Sequence, residues 1–140
     1  MPDRDKVLIV VQEWIIKAEN DLTTAAHALT LGERCPTDTV CFHAQQCVEK
    51  YLKAVLVLHR TDFPKTHDLK KLVALLPVQA RPDLTNEEQD RLTDYATGAR
   101  YPGWAPIPLS EARRAVAIAR RVRKQVRSVL PVEVLRKSRR

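Results

Sequence analysis

The stretch Val40-Cys41-Phe42-His43-Ala44-Gln45-Gln46-Cys47-Val48-Glu49-Lys50-Tyr51-Leu52-Lys53-Ala54-Val55-Leu56-Val57-Leu58 decides the fold. Val40, Ala44, Cys47, Val48, Tyr51, Val55 and Leu58 recur at the spacing that places side chains on one face of an α-helix. The pattern predicts a helix over residues 39–59. Gln46, Glu49, Lys53 and Arg60 fall on the opposite side, with Gln46, Lys53 and Arg60 in one line at intervals of seven. Glu49 and Lys53 read as an ordinary i,i+4 surface pair, worth a few tenths of a kcal/mol.

The same periodicity extends in both directions. Leu8, Val11, Ile15, Ala18, Leu22, Ala25 and Leu29 predict a first helix over residues 5–29, with Trp14 beside the stripe. Gly32 and Pro36 break the chain before the second helix. After a turn at Asp62-Phe63-Pro64, Thr66 reads as the N-cap of a short third helix over residues 67–76. Thr85 and Glu88 have the spacing of a capping box, which opens a fourth helix running to Ala99. Pro102, Pro106, Pro108 and Gly103 make residues 100–109 a loop. Ser110 is then expected to cap a last helix ending near Leu130, with Ala112, Ala115, Val116, Ala119, Val122 and Val126 turned inward.

Gly is scarce, at 3 residues, and strand-like alternation is nearly absent. The fold class is therefore all-α: an up-and-down antiparallel bundle of four to five helices. A chain of 140 residues suits one core. The bundle is expected over residues 1–130, followed by a mobile basic tail over 131–140.

Charge is unevenly placed. The net charge is +7, but residues 111–140 alone carry +9 and the rest of the chain −2. A basic end on a near-neutral body suits an acidic partner such as nucleic acid. Arg113, Arg120, Lys124 and Arg127 line the outer face of the last helix and are the candidate nucleic-acid contacts. The three cysteines, Cys35, Cys41 and Cys47, lack the short paired spacing of zinc sites. They are expected to be reduced thiols in a cytoplasmic protein, with Cys41 and Cys47 packed as small core residues. There is no signal-peptide pattern and no segment long enough to span a membrane. A Gly-rich phosphate loop is missing, and no His and acid share metal-ligand spacing on one helix face. Neither a metal nor another cofactor is expected.

Three further segments, taken in series, resemble one family. They are Ala44-Gln45-Gln46-Cys47-Val48-Glu49-Lys50-Tyr51-Leu52-Lys53-Ala54, then Pro64-Lys65-Thr66-His67-Asp68-Leu69, then Ala99-Arg100-Tyr101-Pro102-Gly103. In this order and spacing, with Ala18-Glu19-Asn20-Asp21-Leu22 ahead of them, they are similar to the HEPN domain (higher eukaryotes and prokaryotes nucleotide-binding). The resemblance covers roughly residues 10–128. It implies a helical bundle that forms a homodimer. It also implies a partner, a small nucleotidyltransferase, in a toxin–antitoxin-like pair, and nucleotide or RNA as ligand. Many members are metal-independent ribonucleases that use an Arg and a later His with four to six residues between them.

Such a nuclease needs a base for the 2′-hydroxyl proton and a cation for the charged transition state. The resemblance places the Arg at Arg100. The His should then fall at 105–107, where the chain has Ala105, Pro106 and Ile107. Arg60 and His67 have a suitable interval but stand elsewhere in the pattern. Three functions follow. The first is a binding protein using Lys53, His67, Arg100 and Tyr101, with an aromatic ring for a base and Arg for phosphate. The second is a metal-independent endoribonuclease using Arg60, His67 and Arg100. The third is a helical scaffold or nucleic-acid binder acting through the basic last helix.

Overall fold

The computed structural model describes residues 3–135; residues 136–140, half of the expected tail, lie outside the described residues. The chain forms α1 (Arg4–Leu29), α2 (Thr37–Leu58), α3 (Leu69–Leu75), α4 (Asn86–Ala96), α5 (Leu109–Arg127) and a single-turn α6 (Val132–Leu135). Short 3₁₀ turns at Gly32–Arg34, Val78–Ala80 and Gly98–Arg100 fill the links. The architecture is the expected all-helical bundle.

The central element is α2. It packs against α1, α3, α4 and α5, and 14 of its 22 residues are buried. This revises the reading of its polar side. Gln46, Glu49 and Lys53 do not face solvent; they are buried along with Gln45. A helix flanked by four others has no free face, so its polar residues must find partners inside. Tyr51, Leu52, Val55 and Leu56 around them have no exposure at all. The inward stripe of α5 is the predicted one: Ala112, Ala115, Val116, Ala119, Val122 and Val126. Its small side chains let α5 lie close against α2. Cys35, Cys41 and Cys47 are free and buried. Burial pushes the Cys41 thiol up to about 12 and the Cys47 thiol higher still.

Helix ends depart from the sequence reading in instructive ways. Asp68, not Thr66, caps α3: its carboxylate accepts from the Lys70 N–H at 3.0 Å. Thr66 instead accepts from the Asp68 N–H and shapes the turn before it. Thr85 and Glu88 form the full capping box of α4, but α4 ends at Ala96 and passes into the 3₁₀ turn that carries Arg100. Ser110 lies inside α5. Pro108 is the N-cap, its carbonyl accepting from the Glu111 and Ala112 N–H groups at 3.0 and 3.1 Å. Past Pro131 the chain turns into α6, and Val134 is buried against the bundle.

Arg60 takes a left-handed backbone conformation, φ 55°, just after α2. The Thr61 N–H bonds the Leu56 carbonyl and the Arg60 N–H bonds the Val57 carbonyl, each at 2.9 Å. This is the Schellman closure that a glycine usually provides. Among the described residues, no helix is long and apolar enough to cross a membrane.

Leu52 of α2 has no exposure. Leu52→Ala is expected to lower unfolding free energy by about 2–5 kcal/mol through lost burial and the cavity left behind. Urea denaturation followed by far-ultraviolet circular dichroism checks this.

Candidate functional site

Three polar assemblies are built on this frame, and they hold most of the residues singled out in the sequence. The first lies inside the bundle around Glu49. Lys53 Nζ donates to Glu49 Oε2 at 2.9 Å and Gln45 Nε2 to Oε1 at 3.0 Å. His67 Nδ1 lies 2.8 Å from Oε1, and Gln46 Nε2 donates to the Gln45 side-chain oxygen at 2.7 Å. Gln45 also reaches the His67 carbonyl. The Lys53 ammonium sits 5.5 Å from the Trp14 ring and 5.6 Å from the Phe63 ring, on the positive-attracting faces of both. Burial alone would raise the Glu49 pKa. The bonds from Lys53, Gln45 and His67 outweigh burial and hold it below its ordinary 4.5. An ionised Glu49 fixes the proton of His67 on Nδ1. Lys53 and His67 are thus committed to one internal carboxylate, while the outer part of the His67 ring remains half exposed.

The second assembly surrounds the loop after α4. The Arg100 guanidinium lies 4.2 Å from the centre of the Phe42 ring and 5.9 Å from that of Tyr101. Arg91 sits 5.6 Å from both the Tyr95 and the Trp104 ring centres. Each Arg therefore contacts two rings. Trp104 packs so closely on Gly98 that a Cβ there would stand 3.3 Å from its ring. Tyr101 is 61% exposed, so its ring is open to a ligand. The neighbouring His43 ring makes an edge contact with Phe42 at 5.3 Å. His43 Nδ1 lies 2.7 Å from Asp21 Oδ1, and Lys50 donates to Asp21 Oδ2 at 2.6 Å. Spacing along the chain does not mark His43, because Asp21 stands 22 residues before it and packing alone brings Arg100 onto the neighbouring Phe42 ring.

The third assembly is a shallow concavity of about 610 Å³ between α1 and α5. Arg120, Arg123, Lys124 and Arg127 line it with Leu22, Thr23 and Ala26. Arg123 Nε donates to Glu19 at 2.7 Å; the Tyr51 hydroxyl donates to the same carboxylate and accepts from Arg127 at 3.4 Å. Arg113, one of the four predicted contacts, lies nearer the start of α5 and does not line it. Arg123 is a fourth basic residue there, and the sequence signals it: it stands three residues after Arg120 and four before Arg127, on the same side of the helix.

The predicted site residues thus fall in different places. Arg100 and Tyr101 are together. Lys53 and His67 are together on Glu49, but Glu49 stands about two turns and Lys53 about three turns further along α2 than Phe42, on which Arg100 rests. Arg60 lines a separate concavity with Val7, Val10, Val57 and Phe63 at the end of α2. Of positions 105–107, Ile107 is buried. Among the described residues, no group of three or more His, Cys, Asp or Glu is placed to hold a metal ion.

A helical bundle with this arrangement has known relatives. The HEPN domain family matches residues 11–129, and the chain belongs to that family. Two solved structures are similar to it. TT1696 from Thermus thermophilus is 28% identical with a TM-score of 0.69, over 86% of this chain and 98% of that one. ST0689, described as an archaeal HEPN homologue, is 26% identical with a TM-score of 0.66, over 84% of this chain and 95% of that one. No curated protein matches the chain.

The Glu49 network has a pH signature. Because the folded-state pKa of Glu49 is depressed, its stabilisation is present above the unfolded value of about 4.5 and is lost as pH falls below it. Glu19, Glu88 and Glu111 are depressed as well. Unfolding free energy is expected to fall below about pH 4.5, and less steeply in Glu49→Gln. At pH 7, Glu49→Ala should cost about 3–5 kcal/mol, since it strands a buried Lys53. Thermal melts from pH 3 to 7 for the three proteins measure both effects.

Proposed function

We propose that this HEPN-domain protein binds nucleotide or RNA without cleaving it. The observation that carries the reading is the paired Arg–aromatic stacking around residues 97–104: Arg100 on Phe42 and Tyr101, and Arg91 on Tyr95 and Trp104. An exposed ring beside a guanidinium can hold a base and its phosphate together. Two features support binding over cleavage. Positions 105–107 carry no His, and His67 is tied to Glu49 two turns of α2 away from Phe42. The resemblance to HEPN proteins paired with small nucleotidyltransferases supports such a partner in a toxin–antitoxin-like pair, with a homodimer as the unit that meets it.

One observation favours cleavage as a second reading. His43, oriented by Asp21, touches the ring on which Arg100 lies. An imidazole with Nδ1 on a carboxylate presents Nε2 as a base, and Arg100 supplies the cation.

Tyr101→Ala is expected to weaken binding of a short RNA by about 1–3 kcal/mol, the value of one stacked base, as measured by fluorescence anisotropy. With EDTA present, the same RNA should remain intact on a denaturing gel. Cleavage that survives His67→Ala and disappears in His43→Ala would replace the first reading by the second. Native co-purification with mass spectrometry reads the partner; recovery of self-associated chains alone would remove the nucleotidyltransferase.

A further inference from the structure

The concavity between α1 and α5 plays no part in the stacking loop, and its chemistry differs. Arg120, Arg123, Lys124 and Arg127 stand at steps of three and four, so all four point to one side of α5. Like charges at these intervals repel and cost helix stability. Surface helices normally interleave acids among them, but α5 has none between Glu111 and its end. Glu19 of α1 meets Arg123. Arg120 and Lys124 have no ion-pair partner among the described residues and are exposed. The walls are the aliphatic groups of Leu22 and Ala26 and the hydroxyl of Thr23. No aromatic ring lines the concavity, so it has no platform on which a base could stack. Groups that carry only positive charge fix the position of a nucleic-acid backbone and carry no sequence information.

We infer that this concavity binds the backbone phosphates of RNA and reads no base. The inference rests on the RNA-binding reading above and adds a second contact region to it. Bases engage the rings around Arg100, while phosphates further along the strand engage α5. Arg113 lies one heptad before Arg120, about 10 Å along the helix. It carries the positive line from the concavity toward the loop that ends in α5. Arg123 is the positioned member: Glu19 holds its guanidinium at the rim, and Tyr51 ties Arg127 to the same carboxylate.

The test compares two labelled twelve-nucleotide RNAs, a uridine run and a mixed sequence, by fluorescence anisotropy from 50 to 300 mM KCl. The double variant Arg120→Gln/Lys124→Gln changes only exposed side chains, and its thermal melt should match the parent. Each lost phosphate contact lowers the slope of log K against log salt by about 0.7 for single strands. The double variant should therefore lose about 1.4 in slope and about tenfold in affinity at 150 mM salt, equally for both RNAs. Tyr101→Ala should weaken binding with the slope unchanged. An unchanged slope in the double variant, beside a weakened Tyr101→Ala, overturns the phosphate groove and leaves the stacking site standing. A loss confined to one RNA also overturns it, since the groove would then read sequence. If the parent binds neither RNA at any salt, both this inference and the reading it rests on fall.

Discussion

Glu49 holds an ionised carboxylate at the middle of α2, where four other helices leave it almost no access to water. A charge there is tolerable only if every lone pair is met. Lys53 and Gln45 meet it from α2 itself, and His67 meets it from the chain between α2 and α3. This requirement shapes much of the bundle. The link carrying His67 must return to α2 at one height, which sets where α3 begins. Lys53 must lie across Trp14 of α1 and Phe63 of the link, which fixes how α1 approaches α2. The Leu69 N–H then reaches Thr93 of α4, so the anchoring passes to a fourth element. Such a network adds less to net stability than an apolar core of the same volume would. What it adds is a single register for the elements that touch it.

With α2 held in place, its two ends become different chemical environments. Near its start, Phe42 meets the loop after α4 through Arg100, which settles on its ring, and His43 lies beside Phe42. Near its end, Arg60 closes the helix in a left-handed turn and borders an apolar concavity. Between them, Tyr51 reaches across to Glu19 and Arg127. That bridge couples the core to the positive side of α5. The candidate sites are therefore arranged around one buried helix.

The sequence was most legible where helices are amphipathic in the ordinary way. Every inward residue of α5 was readable, because that helix has one buried side and one wet side, and the period of 3.6 separates them. The capping box of α4 was readable because both of its hydrogen bonds are local. Legibility failed at α2, where polar residues looked like a solvent face. Periodicity marks which residues share a side of a helix, but it does not say whether that side meets water. The caps of α3 and α5 each stand two residues from the expected position for a related reason. Thr66 and Asp68, or Pro108 and Ser110, are all competent near a helix start, and the path of the preceding chain chooses among them.

By itself the sequence determined the helical class, the number of main helices, the family resemblance and the concentration of positive charge on the last helix. These depend on local propensity, on spacing within one segment and on composition. Tertiary structure alone decided the grouping of the functional residues. It separated His67 from Arg100 and set His43 near Arg100 through the ring of Phe42. It also set the basic side of α5 against Glu19, Leu22 and Ala26 of α1. Each of these pairings spans tens of residues along the chain, and only the packing of whole helices around α2 brings such distant positions within a few ångströms.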